Sequence, residues 1–199
     1  CKYKFPDYLC LKEDLVQLKG NRFKSKRSCL NYFLKHYKFQ YLPFSVRYKN
    51  NCKELYNYWM RERKPKNQDC VYQGMLQDSQ GCLKILLSNF KNLNFIGRIV
   101  RINKEIKGFT FGFKLNQGIF CILYEVTDLS IKGISQFIFW KLCSELKSHK
   151  YINIMDDSGL DNLKKVKLSY RPIRLIPAYI VKQKDTPRLC FRNIRKSGK

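Results

Sequence analysis

Residues 151–174 read Tyr151-Ile-Asn-Ile-Met-Asp-Asp-Ser-Gly-Leu-Asp-Asn-Leu-Lys-Lys-Val-Lys-Leu-Ser-Tyr170-Arg-Pro-Ile-Arg174. The apolar opening over 151–155 predicts a strand, and Asp156-Asp-Ser-Gly a polar turn. Residues 160–168 have the spacing of a short basic helix. Pro172 then admits a second strand over 173–181. This order sets one acid (Asp157), two lysines (Lys164, Lys167) and one tyrosine (Tyr170) around a single turn. Group transfer to an amine or hydroxyl needs a base, a donor for developing negative charge and an acid for the leaving group. Asp157 is either a base, a partner for a cationic substrate amine or a helix cap. Lys164 and Lys167, three apart, share one side of the helix and suit a phosphate, a carboxylate or an oxyanion. Tyr170 either assists a leaving group or fills the core.

Upstream, 131–146 is apolar around most of its circumference, which predicts a helix buried against a sheet. Before it, 93–101, 108–115 and 119–126 alternate as three strands joined by short polar links, the pattern of antiparallel hairpins. Helices are predicted at 11–18, 23–36, 51–61 and 69–89, with a strand at 39–48 interrupted by Pro43. The charged connection 61–68 reads as a mobile loop and the tail after Lys182 as loose. Helices, then an antiparallel meander, then helix-strand-helix-strand make an α+β protein with a central, mostly antiparallel sheet flanked by helices. The organisation expected is a bridging basic helical segment with a first strand (1–50), a main domain (51–182) and a basic tail (183–199).

The chain has 199 residues, 44% of them hydrophobic and 15% aromatic, enough for a folded core and too many for a disordered chain. Forty basic against 15 acidic residues give a net charge of +25. That excess favours RNA, DNA, an anionic membrane or a phosphorylated cofactor as partner. Nine cysteines stand at 1, 10, 29, 52, 70, 82, 121, 143 and 190. None are spaced as a Cys-x-x-Cys metal knuckle and the count is odd, so reduced thiols of a cytoplasmic protein, with no metal, are expected. No apolar run approaches the ~20 residues of a membrane span. The chain opens on Cys1 in mid-pattern and reads as part of something longer.

Three further places carry possible chemistry. Asp128-Leu-Ser130-Ile-Lys132-Gly133-Ile-Ser135 joins a strand to a helix, where free N–H groups and the helix dipole favour phosphate. Ser130, Lys132, Gly133 and Ser135 are the candidate cofactor-binding residues, against the alternative of a plain strand-to-helix turn. In 19–27, Lys19, Arg22, Lys24, Lys26 and Arg27 surround Phe23, a composition that grips a nucleic-acid backbone or lipid headgroups, or else forms a solvated helix face. Glu125 lies in an apolar strand, Cys-Ile-Leu-Tyr-Glu-Val. A carboxylate there is costly unless paired or used, or unless it points to solvent. His36 and His149 have no partner spacing for a metal or a triad and read as structural.

Several segments together resemble the C-terminal domain of phosphatidylglycerol lysyltransferases and its soluble relatives. They are Asp7-Tyr8, Glu13-Asp14-Leu15, Leu18-Lys19-Gly20-Asn21-Arg22-Phe23 and Lys26-Arg27, then Tyr124-Glu125 and Lys132-Gly133-Ile134. Tyr151-Ile152-Asn153, Asp157, Gly159, Leu163-Lys164, Lys167-Leu168-Ser169-Tyr170, Pro172 and Tyr179 complete them. Departures stand at Ser25 (commonly His), Ser28 (Asn), Asn162 (Gly) and Lys164 (Arg), the last keeping charge and losing bidentate geometry. The resemblance implies a GCN5-related acetyltransferase (GNAT) fold, with this chain as the second unit of a tandem protein. It also implies an aminoacyltransferase taking an aminoacyl group from aminoacyl-tRNA to a lipid hydroxyl, or to another hydroxyl or amine. In that setting Asp157, Glu125, Lys164, Lys167 and Tyr170 are catalytic, tRNA and an anionic headgroup are partners, and no cofactor is tightly held. The location expected is cytoplasmic, at most peripheral at the inner membrane face. The alternatives are an acyl-CoA-dependent N-acyltransferase and a non-catalytic binder of RNA or an anionic surface.

Overall fold

A computed structural model describes residues 2–63 and 70–182. Seven strands form one sheet: β1 (Lys2–Leu11), β2 (Gln40–Pro43), β3 (Phe95–Ile102), β4 (Glu105–Asn116), β5 (Ile119–Thr127), β6 (Tyr151–Asn153) and β7 (Arg174–Ile180). Their spatial order is β2-β3-β4-β5-β6-β1-β7. All neighbours are antiparallel except β5 and β6. That parallel pair needs a crossover connection, which helix α5 (Ile134–Glu145) supplies. The other helices are α1 (Lys12–Gln17), α2 (Lys24–His36), α3 (Lys49–Arg63), α4 (Cys70–Asn89) and α6 (Asp161–Leu168).

Helices cover both faces of the sheet. Ile99 packs with Leu55, Tyr56, Leu83 and Leu87 of α3 and α4, whereas its neighbour Val100 packs with Phe33, Ile134 and Ile138 of α2 and α5. Successive strand side chains point to opposite faces, so the two residues assign one helix layer to each side. Helix α5 is apolar all round because it lies between the sheet and α1 and α2. Its entry requires glycine. A Cβ on Gly133 would stand 2.1 Å from the Cys29 carbonyl oxygen, and the residue has φ +85°. Helix α2 therefore closes onto the start of α5.

The expected α+β class and mostly antiparallel sheet hold. Six helices and five later strands fall within a few residues of expectation. Two elements differ. Residues 2–11 form a strand that the sequence pattern did not suggest, because Pro6 and alternating lysines disguise it; a register shift between Lys4 and Asp7 accommodates the proline. The strand expected over 39–48 stops at Pro43, and Val46–Tyr48 is a 3-10 turn. Residues 2–50 thus contribute two strands of the common sheet, β1 between β6 and β7 and β2 beside β3. The loop expected at 61–68 falls largely outside the described residues, as does the tail after 182.

Candidate active site at the parting of two strands

Strands β5 and β6 pair only through Ile119↔Tyr151, Phe120↔Ile152 and Cys121↔Asn153. Beyond that point the chain after β6 stays with β1: Ile154 N–H donates to the Tyr8 carbonyl at 3.0 Å and Tyr8 N–H to the Met155 carbonyl at 3.2 Å. Strand β5 instead runs on along β4 to Thr127. The two strands separate, and the outer half of β5 faces an opening. A sheet whose strands part in this way presents side chains and backbone to a ligand at the ends of the strands.

Glu125 stands on this outer half. Its neighbour Val126 packs among the side chains of the α3/α4 layer, so Glu125 faces α5, where it accepts a hydrogen bond from Ser135 Oγ at 2.6 Å. Burial pushes its carboxyl up to about 7, against the pull of Ser135, Lys26 and Lys167. A group balanced near neutral pH can both take and return a proton. Lys26 reaches in from α2, with its ammonium 3.9 Å from the centre of the Tyr170 ring. Among the described residues the ammonium has no hydrogen-bond or ion-pair partner. Burial lowers its pKa, while Glu125 raises it. Tyr170 is buried against Phe139, with ring centres 4.4 Å apart. Burial, then the charge on Glu125, raises its phenol well above the ordinary value, so it stays a proton donor. Lys167 donates to the Ile154 carbonyl and, at 3.3 Å, to the Met155 carbonyl. It thereby ties α6 to the chain just after β6. Burial lowers its pKa, opposed by Asp156, Asp7, Glu125 and Asp157.

The floor of the opening is a hydrogen-bonded set from β1 and the turn after β6. Asp157 is buried; one carboxylate oxygen accepts from Tyr8 Oη at 2.5 Å, the other from Gly159 N–H at 2.9 Å. Burial, with the Asp157 carboxylate, pushes the Tyr8 phenol up to about 12. Asn153 donates to Asp7 at 2.8 Å and accepts from Met155 N–H at 2.7 Å, holding Met155 in the left-handed region at φ 63°. Lys4 pairs with Asp156 at 2.9 Å.

The residues singled out from the sequence are thus sorted by the fold. Glu125, Lys167 and Tyr170 converge, and Asp157 belongs to the floor. It does not cap α6, whose N-cap position is Leu160. Lys164 is exposed on α6, whereas Lys167 is half-buried. Of the loop, Ser135 belongs to Glu125, Ser130 Oγ donates to Asp128 at 2.6 Å, Lys132 lies over the Tyr32 ring at 4.5 Å and Gly133 seats α2. The basic run divides as well. Arg22 pairs with Asp14 at 2.8 Å, Arg27 donates to the Leu18 and Gly20 carbonyls, Lys26 enters the site, and Lys19 and Lys24 remain exposed. Sequence reasoning placed Lys26 with the basic run, as a candidate for nucleic acid, rather than beside Glu125 and Tyr170, and missed Tyr8, Asp7 and Asn153 as the floor of the site. The signal for the last three was present in the Asp7-Tyr8 and Tyr151-Ile152-Asn153 motifs. Among the described residues no cluster of His, Cys, Asp or Glu could hold a metal, and no helix is long and apolar enough to cross a membrane.

A mixed sheet with one parting parallel pair and helices on both faces is the GNAT-like fold. A possible acetyltransferase from Clostridium difficile 630 shares it, with a TM-score of 0.50 at 11% identity over 74% of this chain and 97% of that one. The chain belongs to the family described as phosphatidylglycerol lysyltransferase, C-terminal, whose profile matches residues 5–182. A conserved protein of unknown function from Bacteroides thetaiotaomicron VPI-5482 superposes with a TM-score of 0.79 at 29% identity, over 88% of this chain and 59% of that one. L-PGS from Bacillus licheniformis superposes with a TM-score of 0.59 at 13% identity, over 88% and 60%. The chain therefore spans about three fifths of the length of these two structures. No curated protein matches it. Acyl transfer is the kind of chemistry that goes with this family and fold.

Proposed function

We propose that the chain carries the transfer site of an aminoacyltransferase that uses aminoacyl-tRNA as donor and a hydroxyl or amine, such as that of a phosphatidylglycerol-like lipid, as acceptor. The observation that carries this reading is the convergence of Glu125, Lys26 and Tyr170 where β5 leaves β6. In the proposed reaction the acceptor oxygen or nitrogen attacks the ester carbonyl carbon of the donor. The new bond forms as the acceptor's proton passes to the Glu125 carboxylate. The Lys26 ammonium, which makes no hydrogen bond or ion pair among the described residues, offsets the charge developing on the carbonyl oxygen. The bond to the ribose oxygen then breaks; Tyr170 donates a hydrogen bond to that oxygen, which leaves with the proton Glu125 had taken. Lys167 and the Tyr8–Asp157 pair hold the turn that bounds the site. Lys164, Lys19 and Lys24, exposed near these elements in sequence, remain available to the phosphates of the donor.

An acyl-CoA donor is less well supported. The side chains of the 128–135 loop are already engaged, Ser130 with Asp128, Ser135 with Glu125 and Lys132 with the Tyr32 ring, and Gly133 is pressed against the Cys29 carbonyl. The test is transfer of labelled amino acid from charged total tRNA into lipid, peptide and small-amine fractions, beside Glu125→Gln and Lys26→Met variants. The proposal expects label in one fraction, reduced roughly a hundredfold by the first change and tenfold or more by the second. Transfer from acyl-CoA without tRNA would replace it with the CoA reading. Salt-sensitive RNA binding without any transfer would replace it with the non-catalytic one.

A further inference from the structure

Apolar side chains that are both large and exposed are concentrated at one end of the sheet. Of the fifteen among the described residues, nine belong to β1, α6 and the β7 segment. They are not scattered singly. Tyr3 pairs across strands with Tyr179, their rings 5.6 Å apart, and both are more than half exposed. Leu175, four residues before Tyr179, shares its face. Phe5 on β1 approaches Gly159, in the turn that carries Asp156 and Asp157. Val166 and Leu168 flank Lys167 on α6 and remain outside. The apolar face therefore adjoins the rim of the opening.

We propose that β1, α6 and β7 form a docking face for an anionic lipid bilayer. Charge decides the occupant. Between 162 and 182 there is no Asp or Glu, while Lys164, Lys165, Arg171, Arg174 and Lys182 are all exposed. Protein–protein interfaces are depleted in lysine, whereas exposed aromatics and aliphatics mixed with Lys and Arg match a headgroup layer over acyl chains. Strand addition to β7 is disfavoured by Pro177, which lacks a backbone donor on this edge strand. RNA would use the tyrosines and the charges and leave Val166, Ile173 and Leu175 without a role. Docking here would bring a lipid acceptor to the opening; that last link rests on the acyl-transfer reading, while the docking itself does not.

The test is flotation of the protein with vesicles of phosphatidylcholine alone or of an equimolar mixture with phosphatidylglycerol. It compares the wild type with Tyr3→Ser/Val166→Ser/Tyr179→Ser. The triple change is expected to weaken binding to the mixed vesicles by about tenfold or more at unchanged secondary structure. A Tyr179→Trp variant, which keeps the surface intact, is expected to show added indole fluorescence quenched by brominated lipid in the mixed vesicles only. Full vesicle binding by the triple variant, or no quenching of the fluorescence that the Tyr179→Trp change adds, overturns the proposal. A monomer–dimer change in lipid-free triple variant assigns the face to a second copy instead. Loss of RNA binding with vesicle binding kept assigns it to RNA. Vesicle binding without any acyl transfer leaves the docking standing and removes the transfer reading alone.

Discussion

Replacing Glu125 with Gln should stabilise the protein at high pH while disabling it. The carboxyl titrates near 7 in the fold against an ordinary 4.5, because burial disfavours its charged form. The folded state thus holds this proton more tightly than the unfolded chain does. Between those two values the native state binds more protons, so stability falls as pH rises from about 4.5 to about 7 and then levels off. The full difference corresponds to about 3 kcal/mol, and the partial solvent contact of the residue brings it to about 2–3 kcal/mol. Glutamine preserves the shape and still accepts from Ser135, yet carries no charge. Urea unfolding of both proteins at half-unit steps from pH 4.5 to 8.5 follows the effect, since the groups that do not feel the Glu125 charge titrate alike in the two, while Lys26 and Lys167 lose its support in the variant. The expected difference grows from near zero at the acid end to about 2–3 kcal/mol in favour of the variant at pH 8. For a chain of this size that is a melting difference of about 4–12 °C. Parallel stability curves across the whole range would refute the reasoning, because they would mean that the carboxylate is not desolvated.

Three other outcomes follow from the same geometry. Gly133→Ala should cost several kcal/mol, on the order of 3 or more, because its Cβ would meet the Cys29 carbonyl at 2.1 Å with φ at +85°; a melting point within a degree or two of wild type would show that α2 does not close on α5 there. Lys26→Met should leave the melting point nearly unchanged or raise it, since among the described residues the half-buried ammonium makes no hydrogen bond or ion pair and its attraction to Glu125 is set against its own burial, while transfer falls tenfold or more through kcat; a loss confined to KM would give Lys26 a binding role only. Tyr8→Phe should destabilise by about 1–3 kcal/mol by leaving one oxygen of the buried Asp157 carboxylate unpartnered, and Tyr8→Phe/Asp157→Asn should recover part of that loss in a double-mutant cycle.

What the sequence reveals follows the range of the forces involved. Helices α2, α5 and α6 declare themselves because their periodicity and stops lie within a dozen residues. The three-strand meander does so through alternation and short polar links. Strand β1 does not. Its partners are β6 and β7, some 140 to 180 positions later, and local signals such as Pro6 argue against a strand. The same distance hides the floor of the site, where Tyr8 and Asp157 are separated by 149 positions. Glu125 is legible as a carboxylate out of place in an apolar strand, and Tyr170 as part of a polar turn. Lys26 is not, because in sequence it belongs to a run of basic residues. Only the packing of α2 on α5, allowed by the missing side chain of Gly133, separates it from Lys24 and Arg27 and turns it inward.

The raised carboxyl at the parting of β5 and β6 is the centre of the account, and the pH dependence of kcat/KM for label transfer from aminoacyl-tRNA tests it most directly. The prediction is a rate that climbs tenfold per unit at low pH and levels off with an inflection near 7, as the Glu125 carboxyl becomes the basic carboxylate. The residual activity of Glu125→Gln should lack that inflection. An inflection near 7 that persists unchanged in Glu125→Gln would contradict the assignment and move the base to another group.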